Sequence, residues 1–125
     1  MMKKMMKKIL IIDDDDLFRD MMKKLLERAG YQVFEAMNGY DGLKMAEKMN
    51  ADLIVTDIIM PEKEGIETII ELRKDHPETK IIAVSGGGRL TPEFHLSLAQ
   101  KMGVQKSFAK PFDNKQFLAA VKELV

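Results

Sequence analysis

The chain has 125 residues, and 46% of them are hydrophobic, which suits one domain built around a single packed core. Its 20 basic and 20 acidic residues balance, so charge gives no reason to expect nucleic acid or an anionic membrane as a partner. Cysteine is absent, which excludes disulfides and thiolate metal sites.

The start of the chain, Met1–Lys8, alternates pairs of Met and Lys. Four apolar residues follow and meet four aspartates, so the segment is too short and too acidic for a secretion signal. No stretch approaches the roughly 20 apolar residues of a membrane span. We therefore expect a cytoplasmic protein forming one domain over residues 1–125, with residues 1–7 a frayed start or an expression artefact.

Strand-like and helix-like segments alternate from the beginning of the chain. The apolar run Ile9–Ile12 predicts a first strand, and a helix with Gly30 as its stop follows. Tyr31–Ala36 predicts the second strand, and a helix that Asn38 caps runs from there to about Met49. The apolar residues that keep helical spacing in the first helix are Leu17, Phe18, Met21, Met22, Leu25, Leu26 and Ala29. In the second helix, Leu43, Ala46 and Met49 are predicted to point inward.

The middle of the chain repeats this pattern. Leu53–Thr56 predicts a third strand that ends at Asp57. A helix is predicted from about Glu64 to Asp75, followed by a fourth strand at Ile81–Val84. The apolar residues predicted to share one face of this third helix are Ile66, Ile69 and Ile70.

The last third contains two more helices and a strand. Thr91 and Pro92 predict a helix start, and Gly103 predicts its end. Val104–Phe108 predicts the fifth strand. The final helix is predicted to begin after Asp113, which forms a capping box with Gln116 and has a hydrophobic staple of Phe112 with Phe117 beside it.

The alternation predicts an α/β fold with one parallel sheet and helices on both faces. The first, third and fourth strands are continuously apolar, as strands covered on both faces are, whereas the second and fifth carry polar residues and suit the edges. The prediction is a single doubly wound (βα)5 domain of the flavodoxin-like type, with five strands in the order 2-1-3-4-5.

Reactive side chains follow the strands directly. The first strand is followed by Asp13 and Asp14, the third by Asp57, the fourth by Ser85 and the fifth by Lys110. In an open parallel sheet, ligands bind outside the carboxyl ends of the strands, so these five residues are expected to meet at one edge.

The combination predicts phosphoryl chemistry. Three clustered carboxylates repel one another unless a cation lies between them, and Mg²⁺ prefers oxygen ligands. A carboxylate can act as nucleophile and become an aspartyl-phosphate, while a lysine and a hydroxyl bind phosphate oxygens. Each residue alone also has a structural explanation, as a helix cap, a loop acid or a surface charge; their coincidence at one edge favours function.

Four segments together resemble the signature blocks of the response-regulator receiver family. They are Ile9–Asp14, Asp57–Pro61 with Gly65, Ala83–Ser85, and Lys110–Phe112. Their spacing also matches, and the resemblance covers essentially the whole chain. It implies a signalling receiver of a two-component phosphorelay rather than an enzyme with turnover, phosphorylated by a sensor histidine kinase or a phosphotransfer protein.

The resemblance also implies roles for individual residues. Asp57 would be the phosphoacceptor, and Mg²⁺, with Mn²⁺ as an alternative, would be bound by Asp14, Asp57 and the main-chain carbonyl of Ile59. Asp13 would lie beside the metal without being its preferred direct ligand. Ser85 and Lys110 would take the places of the family's phosphate-sensing hydroxyl and its lysine.

Two departures from the family pattern affect how the signal is read and how long it lasts. Many receivers carry Tyr or Phe three residues before the lysine, where this chain has Ser107, and strand alternation puts Phe108 on the opposite face. The positions that flank the hydrolytic water in the family are Ile59 and Gly87 here. Neither side chain offers a hydrogen bond, so slow self-dephosphorylation is expected.

Three alternatives stay open at this point. A haloacid-dehalogenase-type phosphatase also uses an aspartate nucleophile, but it needs an acidic pair after the lysine, where only Asp113 and Glu123 follow. A flavodoxin-like FMN carrier would need a phosphate-binding loop where four aspartates stand. The third is a pseudo-receiver that only mediates contacts. No output domain is expected within this chain, and its downstream protein target cannot be named.

Overall fold

The computed structural model describes residues 6–58, 65–86 and 91–125. Five strands and five helices alternate along this part of the chain. The strands are β1 (Lys8–Ile12), β2 (Gln32–Ala36), β3 (Leu53–Asp57), β4 (Lys80–Ser85) and β5 (Lys106–Ala109). The helices are α1 (Asp16–Arg28), α2 (Gly39–Lys48), α3 (Gly65–Asp75), α4 (Pro92–Lys101) and α5 (Asn114–Leu124).

All neighbouring strands pair in parallel, in the order β2-β1-β3-β4-β5. The predicted doubly wound fold and its strand order are therefore confirmed. β1, β3 and β4 are central, and their apolar residues are almost completely buried. None of the helices in the described ranges has the length and apolar character that crossing a membrane requires.

The two faces of the sheet carry separate cores, because successive strand residues point to opposite sides. On one face, strand residues such as Leu10 and Ile54 pack with α2, α3 and α4. On the other face, residues such as Ile11 and Val55 pack with α1 and α5. The fully buried strands fix the carboxyl edge of the sheet between these two helical layers.

Helix ends follow the predicted caps. The side chains of Asn38, Thr91 and Asp113 accept hydrogen bonds from the first-turn amides of α2, α4 and α5. Gly30 and Gly103 have positive φ angles of 97° and 88°, the conformation that favours glycine after a helix. The staple before α5 is also present, because the rings of Phe112 and Phe117 stack with centroids 5.0 Å apart.

Four apolar residues of the predicted helical patterns are exposed, namely Leu17, Met21, Ala29 and Ile70. Leu17 is 84%, Met21 48% and Ile70 50% accessible. Each helix packs along a narrow stripe, and a step of one residue turns the side chain by about 100°. The stripe of α1 is centred on the buried Met22 and Leu26. That of α3 continues from Ile69 to Leu72, which leaves Ile70 outside; these four residues have helical spacing, as predicted, but they are not buried.

The two edge strands begin later than predicted. Tyr31 donates its amide to the carbonyl of Leu26 at 3.1 Å, so it closes the end of α1 and β2 starts at Gln32. At the other edge, the side-chain oxygen of Gln105 accepts from the amide of Ile81 at 2.7 Å. The side chain of Gln105, rather than a main-chain carbonyl, thus accepts from the neighbouring strand, and the regular pairing of β5 starts one residue later, at Lys106.

Candidate functional site

The loop after β1 places two aspartates at the carboxyl edge of the sheet. Asp13 is fully buried, and its amide donates to the carbonyl of Ala36 at 3.1 Å. One carboxylate oxygen of Asp13 accepts from the amide of Asp15 at 2.9 Å. Asp15 in turn caps α1 by accepting from the amides of Leu17 and Phe18. The loop is therefore fixed to both the sheet and the helix.

Arg19 ties the same loop to α1 from the other side. Its guanidinium donates to the carbonyl of Asp13 at 2.8 Å and to the carboxylate of Asp16 at 2.7 Å. It also lies 3.4 Å from the carboxylate of Glu35 on β2. The sequence analysis did not single out Arg19. The available signal was an arginine one turn into the helix that follows an acidic loop, where it can reach back to the loop.

Three carboxylates converge at this edge. Oxygen atoms of Asp13, Asp14 and Asp57 lie within 4.8 Å of one another. Asp13 and Asp57 are buried, whereas Asp14 is exposed and faces the solvent side of the cluster. This set of oxygen donors, with one open side, fits a hard divalent cation. Burial raises the pKa of the Asp13 carboxyl, although hydrogen bonds from Lys110 and from the Asp15 amide act against it.

Lys110 brings a positive charge into the carboxylate cluster. Its ammonium donates to Asp13 at 2.8 Å and lies 3.5 Å from Asp57. Its amide donates to the carbonyl of Ser85 at 2.7 Å, which joins the end of β5 to the end of β4. Burial acts to lower the pKa of Lys110, but the hydrogen bonds and charges of Asp13 and Asp57 outweigh burial and raise it.

Ser85 contributes a buried hydroxyl at the same edge. Asp57 pairs with Val84 across the β3–β4 ladder, so Ser85 lies one residue beyond this pair. The side chain of Ser85 is completely buried, and its oxygen has no hydrogen-bond partner among the described residues. Buried polar groups are nearly always satisfied, so this hydroxyl is suited to a ligand oxygen.

An open cavity of about 690 Å³ adjoins the cluster. Asp14, Asp57 and Lys110 line its polar side. Its other wall is apolar and includes Phe18 and Phe112. From the sequence, Phe18 was placed only in the helical pattern of the first helix, so this apolar wall was not predicted.

The structure brings together four of the five side chains predicted for the site, those of Asp13, Asp14, Asp57 and Lys110, and places the main chain of the fifth residue, Ser85, against the Lys110 amide. Their chemical roles stay predictions. Ile59 and Gly87 lie outside the described residues, as does Gly88 of the glycine run. The main-chain metal ligand at Ile59 and the slow hydrolysis attributed to Ile59 and Gly87 therefore also stay predictions.

Ser107 and Phe108 point to opposite faces of the sheet, as strand alternation predicts. The hydroxyl of Ser107 is 3.0 Å from the side-chain nitrogen of Gln100 on α4 and accepts a hydrogen bond from it. Phe108 instead packs against Phe112 and Phe117, with ring centroids 5.4 and 5.6 Å away. The place of the usual switch aromatic is thus taken by a polar contact between β5 and α4.

Comparison with known proteins agrees with this geometry. Residues 9–122 match the family model of the response regulator receiver domain. The chain belongs to this family. It is 34% identical to the chemotaxis protein CheY of Thermotoga maritima, over 94% of this chain and 97% of that protein. As a member of the family, the domain is a phosphoacceptor module of two-component signalling.

Other relatives are much longer than this chain. The chain is 35% identical to the sensor kinase CckA of Brucella abortus but covers 12% of it. It is 32% identical to the transcriptional regulatory protein CpxR of Klebsiella pneumoniae and spans 50% of that protein. The receiver module is therefore shared with proteins that differ in the rest of their length.

Solved structures show the same fold. A CheY-like receiver domain from Methanospirillum hungatei superposes with a TM-score of 0.87 at 32% identity, covering 95% of this chain and 93% of that one. A response regulator from Burkholderia pseudomallei, described with a phosphorylated aspartic acid, a calcium ion and citrate, gives a TM-score of 0.80 at 30% identity. The match covers 91% of this chain and 65% of the Burkholderia chain.

Proposed function

We propose that Asp57 accepts the phosphoryl group and that its donor is the phosphohistidine of a sensor kinase or phosphotransfer protein. The observation that carries the proposal is the position of Asp57 at the end of a central strand, close to two other carboxylates and to the Lys110 ammonium. An Asp57 oxygen forms a bond to phosphorus while the phosphorus–nitrogen bond breaks, and the electron pair stays on the imidazole nitrogen.

The carboxylate cluster supports a bound Mg²⁺, or Mn²⁺ as an alternative. Asp14 and Asp57 would bind the cation directly, and Asp13 would stand beside it with its other contacts to Lys110 and Asp15. The family resemblance adds the main-chain carbonyl of Ile59. When bound, the cation supplies positive charge that neutralises phosphoryl oxygens. The related Burkholderia protein holds a calcium ion and a phosphorylated aspartic acid.

Lys110 and Ser85 would bind the remaining phosphoryl oxygens. The Lys110 ammonium already lies 3.5 Å from Asp57, so it can turn from Asp13 to an oxygen of the new phosphoryl group. The hydroxyl of Ser85, for which the described residues offer no partner, can donate to another oxygen. Since both groups are held in place before transfer, they stabilise the developing charge with little reorganisation.

The alternative of a haloacid-dehalogenase-type phosphatase is disfavoured by the acids that follow Lys110. Asp113 caps α5 by accepting from the amides of Lys115 and Gln116. Glu123 lies near the end of α5 and pairs with Lys106 at the start of β5, whereas Lys110 follows the end of that strand. Neither acid can complete a metal site beside Asp57, so we propose a signalling receiver rather than an enzyme with turnover.

We propose that the whole chain, residues 1–125, forms one receiver domain. Phosphorylation changes the surface of this domain for a downstream protein, and we propose no direct contact with nucleic acid or a membrane. Gln100 of α4 donates to Ser107 of β5, and the same strand leads to Lys110 of the site. The surface of α4 is therefore the proposed output face.

Incubation with acetyl phosphate and Mg²⁺, followed by intact-mass measurement, tests the assignment. Wild type and Asp75→Asn, an exposed control at the end of α3, should each gain one phosphoryl group. Asp57→Asn should gain none, and chelating the metal should suppress the gain in wild type and in Asp75→Asn. An equal gain in Asp57→Asn would overturn the assignment of Asp57, and an unchanged rate under chelation would overturn that of the metal.

A further inference from the structure

The ammonium of Lys110 lies over the face of an aromatic ring. Its nitrogen is 3.9 Å from the ring centroid of Phe18, in addition to its contacts with Asp13 and Asp57. We propose that Phe18 is a positioning residue for phosphoryl transfer, whose ring holds the Lys110 ammonium between the two carboxylates. The inference rests on the proposed function of Asp57 as phosphoacceptor.

A ring face is suited to this task because it attracts a cation without offering a strong directed acceptor. The π-electrons of Phe18 draw the ammonium electrostatically, as aromatic faces do for lysine within about 6 Å. The N–H groups of Lys110 remain available for oxygen partners, first the carboxylates and then the phosphoryl group. The ring also takes the place of water on one side of an ammonium whose side chain is only 17% exposed.

The ring itself is held in position. Phe18 lies in the first turn of α1, where its amide donates to the capping side chain of Asp15 at 3.1 Å. Its ring meets Phe112 edge to face, with centroids 6.0 Å apart and planes at 86°. Phe112 stacks on the fully buried Phe117. The orientation of Phe18 is thus supported by contacts that continue into the core.

The stem of Lys110 is confined on another side by Gly86. A Cβ atom added to Gly86 would lie 2.7 Å from Cβ and 2.8 Å from Cδ of Lys110, so the lysine passes close against the glycine backbone. Together with the Phe18 ring, this restricts both the stem and the charged end. An ammonium that is placed and partly dehydrated before the reaction needs little reorganisation to meet a phosphoryl oxygen.

The simpler role for Phe18 is core packing, which needs no ring electrostatics. Met22 and Leu26 supply the fully buried contacts of α1, whereas Phe18 is only partly buried and lines the cavity on which Asp57 opens. A test must therefore change the charge distribution of the ring while its size stays nearly constant. Stepwise fluorination does this, because each fluorine weakens the negative face of the ring.

The experiment introduces mono-, di- and trifluorophenylalanine at position 18 of the full chain. The measured quantity is the initial rate of phosphorylation by acetyl phosphate at fixed Mg²⁺. We expect the rate to fall stepwise, by roughly three- to tenfold for the trifluoro ring. The same series at Phe34 on β2, which packs against the core on the opposite face of the sheet, is the matched control and should leave the rate within about twofold.

Two further variants and a spectroscopic readout separate positioning from folding. Phe18→Tyr keeps the ring face and should keep the rate, whereas Phe18→Leu keeps an apolar side chain and should lower it. In wild type, the protons beside the Lys110 ammonium should show an upfield ring-current shift that Phe18→Leu removes. Mg²⁺ affinity, measured by calorimetry, should stay the same in Phe18→Leu.

Each outcome decides the inference. Stepwise loss of rate together with the ring-current shift supports it. A flat fluorine series in a protein that is phosphorylated normally overturns it and leaves Asp57 as the acceptor. Absence of any mass gain in wild type overturns the proposed function and this inference together, even if the ring-current shift shows that the contact between Phe18 and Lys110 exists.

Discussion

Ser85 presents a hydroxyl that is buried at the site without a partner among the described residues. A buried hydroxyl left without a hydrogen bond costs about 1–3 kcal/mol in the folded state. Thr56, one strand away, is also buried, but its hydroxyl donates to the carbonyl of Asp57 at 3.1 Å. The two hydroxyls are therefore expected to respond differently when they are removed.

We expect Ser85→Ala to leave the free energy of unfolding within about 0.5 kcal/mol of wild type or to raise it, since no hydrogen bond to a described residue is lost. Thr56→Val, the control, should lower it by about 1 kcal/mol because a hydrogen bond disappears. Affinity for beryllofluoride, a phosphoryl mimic, should fall in Ser85→Ala. Denaturant unfolding and beryllofluoride titration measure these quantities; a loss of stability as large as that of Thr56→Val would contradict the assignment.

Site residues differ in how far they could be predicted from sequence. Asp13 and Lys110 directly follow strands and Asp57 ends one, and parallel strands bring their carboxyl ends to one edge, so their convergence follows from the fold. Helical periodicity gives the side of a helix on which a residue lies, so it placed Phe18 with the other apolar residues of α1. Periodicity does not show that the ring of this first-turn residue reaches the ammonium of Lys110.

At the scale of elements, the junction of β3 and α3 is closely packed. A Cβ atom added to Gly65 would lie 2.1 Å from the carbonyl oxygen of Asp57 and 2.4 Å from Cα of Ile58. At Gly42 in α2, the added atom would meet the side chain of Ile12, at 2.4 Å from its terminal carbon. Main-chain atoms cannot move aside as easily as the end of a side chain.

We therefore expect Gly65→Ala to lower the free energy of unfolding by about 1–3 kcal/mol through overpacking. Gly42→Ala should lower it by less, because Ile12 can adjust and alanine favours a helix interior by about 1 kcal/mol over glycine. Urea unfolding of both variants measures the difference. Equal losses, or a greater loss for Gly42→Ala, would show that the contact with Asp57 and Ile58 does not limit packing.

The cap of α5 offers a second prediction for an element. Asp113 accepts two hydrogen bonds from first-turn amides, at 2.7 and 3.2 Å. We expect Asp113→Ala to lower the free energy of unfolding by about 1 kcal/mol, whereas Asp113→Asn, which also caps well, should stay close to wild type. Thermal and urea unfolding check both variants. An Asp113→Ala protein as stable as wild type would contradict a capping role for Asp113.

The order and type of all ten elements were predictable, because strand burial and helix caps are local features of the sequence. The start of β5 was not, since Gln105 uses its side chain to bind the amide of Ile81, an arrangement that depends on the neighbouring strand. The exposure of Ile70 was also missed, because apolar composition alone does not tell which of two adjacent isoleucines faces the core.

For the whole molecule, the carboxylate cluster should couple metal binding to stability. A cation that binds the folded state alone raises the free energy of unfolding, by about 2.7 kcal/mol at 100 times its dissociation constant. We expect Mg²⁺ to raise the melting temperature of wild type. Asp14→Asn removes a negative charge from the cluster, so it should be more stable than wild type without metal and gain less from Mg²⁺.

Thermal unfolding with chelator and with increasing Mg²⁺ measures this coupling. Asp20→Asn, an exposed aspartate on α1 that pairs with Lys24, is the control and should respond to Mg²⁺ like wild type. An equal metal response in Asp14→Asn would contradict a direct role for Asp14. Lower stability of Asp14→Asn in chelator would contradict like-charge repulsion in the cluster.

The most direct test of the account is chemical trapping of the phosphorylated residue. Borohydride reduces an aspartyl-phosphate to homoserine, and peptide mass spectrometry then locates the changed residue. After incubation with acetyl phosphate and Mg²⁺, we expect homoserine at position 57 and unchanged aspartate at positions 13 and 14. Homoserine at position 13 or 14, or trapping that persists in Asp57→Asn, would contradict the assignment of Asp57 as the phosphoacceptor.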